Sequence, residues 1–445
     1  MQETINSVVH SNLCLGCGTC GAVCPQSAIN MIETPAGLLL AQIDNSKCSE
    51  CGLCAKCCPG THLEKNLLRP EVDPFKGNVI AAYLGQATDK KLLSEGQSGG
   101  IVTALLYHLL DSRQIHRALV TYMPDDGSLR PKSALTADKE LIRRAQGSKY
   151  CPVPLNAAIK EISAHTDEKV AIVGLPCHIH GIRNIQSQLE NFRLAEPFCI
   201  GLVCDRTLAF GAIDHLVKKA SVSRSDVAYF HFRSKMFGGW PGDVCIRTRN
   251  QTIHKVANKE RMMIKDIYTP LRCRLCFDKL NVLSDLTVGD AWGIRQDKEG
   301  FSVIITRTAR GRDFLLSAQD AGVIHLEPID PGRIFEGQQI EKKRTDWSAF
   351  APAWQQMGGN VPDFGISVRW FADTRNISLR PYRRQLMWPK HLATKTCPSA
   401  VLKAAKWHSR FQRLRRKLAL RHTVGSVLRR FKRLRKAATA SLSDS

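Results

Sequence analysis

Two cysteine runs stand back to back near the amino terminus: Cys14-x2-Cys17-x2-Cys20-x3-Cys24-Pro25 and Cys48-x2-Cys51-x2-Cys54-x3-Cys58-Pro59. Three thiolates at this spacing wrap a cuboidal cluster from one short loop, and a fourth Cys followed by Pro completes the set. The chemistry is one-electron transfer. A zinc ribbon or a disulfide framework is the plainer reading, but zinc ligands come as two pairs. That leaves eight cysteines in two matching quartets unexplained. The spacing therefore predicts two [4Fe–4S] sites. Cys57 directly precedes Cys58 and competes as a ligand, yet only Cys58 keeps both the x3 spacing and the following Pro.

This pattern is similar to that of bacterial two-cluster ferredoxins, in which the distant fourth Cys ligates the other cluster. The resemblance implies Cys14, Cys17, Cys20 and Cys58 at one cluster, with Cys48, Cys51, Cys54 and Cys24 at the other. Gly16, Gly18, Gly21 and Gly52 would bring backbone N–H groups close to sulfide.

Four further cysteines sit where strands are expected to end. Cys177 follows a Gly-Leu-Pro turn after the apolar run Val170–Val173, and Cys204 closes the run Phe198–Val203. Cys273 and Cys276 form an x2 pair. Strand ends of an α/β sheet converge on one crevice, so the four can meet despite their separation. Alternatively Cys177 and Cys204 are small buried hydrophobes, and the pair binds zinc or nothing. Cys151, Cys199, Cys245 and Cys397 have no such company and are expected to be structural.

Two short segments suit an anionic cofactor. Gln97-Ser98-Gly99-Gly100 feeds directly into a helical pattern, and exposed N–H groups at such a start bind phosphate. An ordinary Gly-containing helix entry looks the same. Gly147-Ser148-Lys149-Tyr150 offers a hydroxyl, an ammonium and an aromatic ring in one turn, although a solvated Lys is the plainer case. Asp290 and Trp292 are expected at a strand end, with Asp285 capping the preceding turn. Arg233 and Lys235, before Phe237-Gly-Gly-Trp240, form either an anion-binding lip or a solvated loop. His178 and His180 are the one close His pair among fourteen His residues and are not read as a metal site.

The elements that must position these residues follow from hydrophobic periodicity. Residues 1–70 read as the cluster module, and Leu67–Gly77, with Pro70 and Pro74, as a linker. Strands are expected at 79–84, 118–122, 169–173 and 198–203, with helices at 101–110, 139–145, 179–189 and 212–219. Such alternation predicts an α/β domain with a mixed or parallel sheet. The boundaries are 75–165, 166–335, an irregular extension over 336–395 and a basic helical tail over 396–440. The fold class is thus an α+β ferredoxin-like domain, then an α/β domain, then the tail. No Gly-x-Gly-x-x-Gly follows an expected strand, so NAD(P)H binding on a Rossmann unit has no motif support.

Six ordered segments carry a second resemblance: Gln97–Leu105, Gln146–Tyr150, Gly174–His178, Gly201–Cys204, Cys273-x2-Cys276 and Ser284–Gly293. Over about residues 10–335 the chain resembles the family of coenzyme F-420 hydrogenase and dehydrogenase beta subunits. That family includes flavin- and iron–sulfur-dependent reductases, chlorophyll-metabolism enzymes among them, and bacterial members in polysaccharide-synthesis settings. The resemblance implies FAD held by Gln97, Ser98, Gly99, Gly100, Ser148, Lys149 and Tyr150. It implies a third [4Fe–4S] cluster on Cys177, Cys204, Cys273 and Cys276, and places Lys149 and Asp290 at the reaction centre. His178 stands where relatives often have an amide. Electrons would come from ferredoxin or a reduced deazaflavin and pass through the clusters and FAD to an organic substrate, with a role in polysaccharide biosynthesis. The alternative is a non-catalytic electron-transfer subunit serving a separate reductase.

Charge is uneven. Of the net +24, the stretch Thr374–Ser445 carries +19, from twenty Lys or Arg against one acid, Asp444. Between Val401 and Lys436, Trp407, Phe411, Leu414, Leu418, Leu428, Phe431 and Leu434 recur at helical steps among fourteen cations. A basic amphipathic helix of this kind suits an anionic membrane surface. An acidic partner protein and a disordered tail are the other possibilities, and nucleic acid is not expected, because the body is near neutral and has no recognised nucleic-acid module. No apolar leader or eighteen-residue apolar run is present, and free cysteines suit a reducing compartment. The expected location is cytoplasmic, peripheral to the inner face of the membrane.

Overall fold

Short β-branched runs separated by helices build the centre of the protein. The computed structural model describes residues 3–375 and 377–392, all of which belong to one unit. The tail expected over 396–440 lies outside the described residues. No described helix is long and apolar enough to cross a membrane.

The amino-terminal module carries the hairpin β1 (Ile29–Glu33) and β2 (Leu39–Ile43) and the short helices Ile5–His10, Thr19–Val23 and Leu53–Lys56. Then come β3 (Ala81–Ala87), β4 (Arg117–Tyr122), β5 (Lys132–Thr136), β6 (Val170–Gly174) and β7 (Phe198–Leu202). A separate antiparallel meander follows: β8 (Val227–Ser234), β9 (Asp243–Thr248) and β10 (Ile253–Val256). The last strands are β11 (Leu286–Asp290), β12 (Ser302–Thr306) and β13 (Ile324–Pro328).

One mixed sheet has the order β13-β3-β12-β11-β7-β6-β4-β5. Its centre, β11-β7-β6-β4, is parallel, and antiparallel strands flank it on both sides. Strands from residues 81–136 and from residues 170–328 therefore interleave in a single sheet.

Alternation along the strands sets two cores. Ala118, Val120 and Ile200 face the helices Ile101–Asp111 and Ala309–Asp320 through Leu105, Leu109 and Leu315. Leu119, Ile172 and Cys199 face the opposite way, onto Ile179, Ile182 and Ile185. Burying each Val, Leu or Ile among them stabilises by roughly 1.5–3 kcal/mol, so the two-sided burial fixes the register of the sheet.

The helix Pro176–Gln188 has two working faces. Its Ile stripe packs on the sheet. The other face, Gly181, Asn184 and Gln188, meets the cluster module. An added Cβ at Gly181 would lie 2.2 Å from Thr19 Oγ1, so only Gly permits this approach. Asn184 Oδ1 accepts from Glu64 N at 3.0 Å, and Gln188 Nε2 donates to Glu64 Oε1 at 2.7 Å. Beside them, buried Asn156 donates from Nδ2 to Thr19 Oγ1 and to His178 O, both at 2.9 Å. Its own N–H donates to Cys17 O at 2.9 Å.

A helix at Ile340–Gln355 crosses the stretch expected to be irregular. Trp, Pro and Gly suggested broken structure there. Pro costs about 3 kcal/mol inside a helix, but Pro352 falls in the last turn. Trp347, Phe350 and Trp354 are all buried, and three aromatic anchors outweigh one Pro.

Candidate functional site

All sixteen described cysteines are unbridged. Burial pushes the Cys20 thiol well up, and the facing thiols of Cys17, Cys58, Cys14 and Cys54 add to it. Cys58 is likewise pushed up by burial and then by Cys17 and Cys14. Cys58 belongs to the second run in sequence but faces the first in space, which is the crossed arrangement. Cys57 turns the other way. It is fully buried among Val23, Leu155, Ile159 and Ile179, and burial lifts its thiol to about 12. Backbone N–H groups already point at sulfur, from Ala28 to Cys24 at 3.3 Å and from Glu50 to Cys48 at 3.4 Å. Cys51 is exposed.

The other four cysteines meet at the sheet's carboxyl edge. Strands β6 and β7 run parallel, with Gly174 beside Gly201. Cys177 and Cys204 follow three residues after each of these glycines. The segment carrying Cys273 and Cys276 is laid across the same edge by Asn281, which donates from Nδ2 to Gly174 O (2.9 Å) and Leu202 O (3.3 Å). Cys204 N also donates to Lys279 O at 2.9 Å. Burial raises the Cys177 thiol well above its usual value, followed by Cys17, Cys204, Cys273 and Cys276. Thus Cys177 faces both its own set and the first run.

Among the described residues, no three His, Cys, Asp or Glu converge tightly enough for one metal ion. Four facing thiols held apart suit a cubane, whose body separates its ligands, better than a zinc ion. Four unbridged thiols facing one another at one sheet edge fit a cluster here, with the cations Lys343 and Arg272 beside Cys276.

A cavity of about 710 Å³ opens from Cys204, within the range of small-molecule and cofactor sites. Gln97, Ser98, Gly100, Ser148, Lys149 and Tyr150 all line it, as does Asp290. The two candidate loops touch, since Ser148 N donates to Gln97 Oε1 at 3.2 Å. The helix Ile101–Asp111 starts at Gly100, whose φ of +73° is left-handed, and its first residues line the cavity. Its unpaired first-turn N–H groups suit a phosphate.

Gly99 is a correction. An added Cβ there would sit 2.2 Å from Gly85 O on β3, and its N–H is donated to Ser302 Oγ at 3.0 Å. This glycine packs the loop on the sheet. Lys149 Nζ donates to Gln146 O at 2.9 Å and also to Ala145 O, at the end of the helix Lys139–Arg144. Burial holds its pKa down at about 7.

Asp290 is engaged rather than free. Its Oδ2 accepts from Arg233 Nη1 at 2.6 Å and its Oδ1 from Trp240 Nε1 at 3.2 Å. Arg233 Nη1 also reaches Tyr150 OH at 3.2 Å, and its buried Nη2 has no partner. Arg261 stacks over the Tyr150 ring at 4.6 Å. Lys235 forms no anion-binding lip and no solvated loop. It donates to Leu93 O, Ser98 O and Glu299 O, pinning the 93–98 loop. Asp285 does not cap its own turn; it accepts from Cys199 N at 2.8 Å and Thr308 Oγ1 at 3.0 Å.

His178 is a packing residue. Its Nδ1 accepts from Leu175 N at 3.2 Å, its Nε2 lies 3.0 Å from Val153 O, and burial depresses its pKa to about 4. His180 pairs separately with Asp278 at 2.9 Å. Arg261, Lys265, Lys279, Lys342 and Lys343 also line the cavity and were not singled out by the sequence. The one available signal was Lys279, three residues after Cys276.

The sequence pattern of the 4Fe-4S dicluster domain matches residues 13–61. Those of the coenzyme F420 hydrogenase/dehydrogenase beta subunit match residues 82–160 for its N-terminal part and 167–332 for its C-terminal part. The coenzyme F420-dependent sulfite reductase of Methanocaldococcus jannaschii is 26% identical, covering 76% of this chain. This chain spans about half (51%) of that relative's length. The coenzyme F420 hydrogenase subunit beta of Methanococcus voltae is 27% identical over 58% of this chain and 87% of its own. Its counterpart of the same name from Methanosarcina barkeri is 25% identical over 61% of this chain and 92% of its own. Among solved structures, a chain of the F420-reducing [NiFe] hydrogenase complex of Methanosarcina barkeri shares the fold. Its TM-score is 0.52 at 22% identity, over 65% of this chain and 97% of that one. With an iron–sulfur module at its amino terminus and both beta-subunit patterns in order behind it, the chain belongs to the family of coenzyme F420 hydrogenase/dehydrogenase beta subunits.

Proposed function

We propose that this protein is an iron–sulfur flavoprotein oxidoreductase that links a low-potential donor, reduced deazaflavin or ferredoxin, to an organic substrate. The observation that carries this reading is the placement of Cys177, which faces Cys17 on one side and Cys204 on the other, where the cavity begins. Thiol sets thus form a continuous series from exposed Cys51 to the cavity wall. When bound, [4Fe–4S] clusters supply one-electron steps and FAD a two-electron junction.

The chain's own residues would do the rest. The helix start at Gly100, with Ser98 and Ser148, holds the FAD phosphates. Lys149, held at about 7 by burial, stabilises negative charge beside the flavin. Arg233 orients Asp290, and the unpartnered Nη2 of Arg233 awaits an anion. The cation-rich wall and the Trp292 ring suit a phosphate-bearing sugar or lipid-linked glycan, the substrate class of a polysaccharide pathway. A basic tail would hold the protein at an anionic membrane.

A second reading is a non-catalytic electron-transfer subunit. It is favoured by relatives named as subunits and by this chain's span of about half the sulfite reductase. Iron, sulfide and flavin content after anaerobic purification tests the main reading. About twelve irons with one FAD per chain supports three cubanes and the reductase. About eight irons without flavin overturns it in favour of the carrier.

A further inference from the structure

Arg272 is one of the largest fully buried side chains, at 2% exposure. It lies one residue before Cys273, in the short helix Leu271–Arg274. Its Nε donates to Gly60 O at 2.7 Å and its Nη2 to Pro59 O at 2.9 Å. These carbonyls directly follow Cys58, so the guanidinium ties the fourth ligand of one cluster site to the x2 pair of another. The face of the guanidinium lies 5.0 Å from the Phe364 ring centre.

Its Nη1 is buried and has no hydrogen-bond partner. No carboxylate among the described residues pairs with Arg272, whereas Arg274, two residues on, has Asp266 at 3.0 Å. A buried cation without an anion is costly, and proteins avoid it. The guanidinium is seated on the turn after Cys58, whose Sγ accepts from Gly60 N at 3.3 Å, while its own backbone leads directly into Cys273. The missing anion is therefore one held between these two candidate ligand segments.

We propose that Arg272 is a positioning residue shared by two [4Fe–4S] sites, clamping the Cys58 loop to the Cys273–Cys276 turn and placing one fixed positive charge between them. This rests on the three-cluster reading above. Each cluster gains one electron on reduction, with no proton required. A cation held between the two favours that added charge at both sites and raises both potentials. The cluster of Cys48, Cys51, Cys54 and Cys24 receives no hydrogen bond from Arg272 on its loop among the described residues and serves as the internal reference.

The test is a redox titration of the full-length protein with dithionite, followed by electron paramagnetic resonance, beside iron content. Arg272→Gln keeps donors for Pro59 and Gly60 but removes the charge; Arg272→Lys keeps the charge. In Arg272→Gln the reduced-to-oxidised ratio of both flanking clusters should fall about tenfold at fixed potential, a shift of about 59 mV for one electron. Arg272→Lys should recover most of that shift, and the reference cluster should not move. Unmoved midpoints in Arg272→Gln at a full complement of about twelve irons overturn this inference alone. Equal shifts in both variants overturn the role of charge, as does iron loss in both with unchanged midpoints of the remaining clusters. A wild-type protein with about eight irons overturns the three-cluster reading itself, and this inference with it.

Discussion

The two families of cysteine in this protein are built in opposite ways. Six of the eight amino-terminal candidate ligands come from two short loops, and Cys58 of the second run faces the first. The third set has no local loop of its own. It gathers Cys177, Cys204, Cys273 and Cys276 from three separate segments, which the sheet edge, Asn281 and the bond from Cys204 N to Lys279 O bring together. A local set needs loop geometry, whereas an assembled set needs the whole α/β domain to fold first. The first kind tolerates change in its surroundings and the second does not.

Single-ligand changes should separate the two most sharply. Cys273→Ala should lower iron by about four atoms per chain and leave the amino-terminal signals intact. Cys51→Ala should instead remove one low-potential paramagnetic signal while the third set keeps its iron. If Cys51→Ala also strips the third set, the two kinds of site are not independent.

Gly181→Val attacks the seam between them. Even a Cβ there would sit 2.2 Å from Thr19 Oγ1 and 2.7 Å from Asn156 Nδ2. We expect a loss of about 3 kcal/mol in denaturant unfolding, with iron lost from the third set before the first pair. Equal loss from all sets would show that the module does not hold its clusters alone.

Asp290→Asn leaves buried Arg233 without its carboxylate while keeping a hydrogen-bond acceptor, and should cost about 2 kcal/mol. Flavin retention should fall with it, whereas the thiol sets should keep their iron. A variant as stable as the parent would remove Asp290 from the account of the cavity.

The smallest effect is one of pH. Lys149 is protonated below about 7 and neutral above. An anion bound beside it raises that value, so binding takes up a proton between the free and bound pKa. FAD affinity should be flat below pH 7 and fall by up to about tenfold per pH unit above it. Lys149→Gln should bind more weakly and lose the slope. A slope that survives in the variant assigns the proton elsewhere.

Much of this arrangement was legible in residue order. Strands expected at 79–84, 118–122, 169–173 and 198–203 appear at Ala81–Ala87, Arg117–Tyr122, Val170–Gly174 and Phe198–Leu202. Their apolar runs are buried on both faces, which leaves a strong signal. The meander β8–β10 was not foreseen, because Val227–Ser234 mixes His231 and Arg233 into its apolar pattern and reads as a loop. That strand supplies the Arg233 that holds Asp290. A motif also says less than its place: glycine at 99 announces a close approach, but not whether phosphate or the backbone of Gly85 makes it. Cys57 and Cys58 were told apart by spacing and Pro59, and packing agrees, one facing isoleucines and the other thiols.

The seam formed by Gly181, Asn184, Asn156 and Thr19 bears on kinetics. It fixes Cys17 and Cys177 to one rigid frame, through a backbone bond, two side-chain amides and a contact with no room for a methyl group. Nothing in that frame swings like a tethered shuttle. On the proposed reading, electrons would cross from the module to the cavity over a constant gap, at a rate indifferent to solvent viscosity, while arrival of an external donor would slow as the medium thickens.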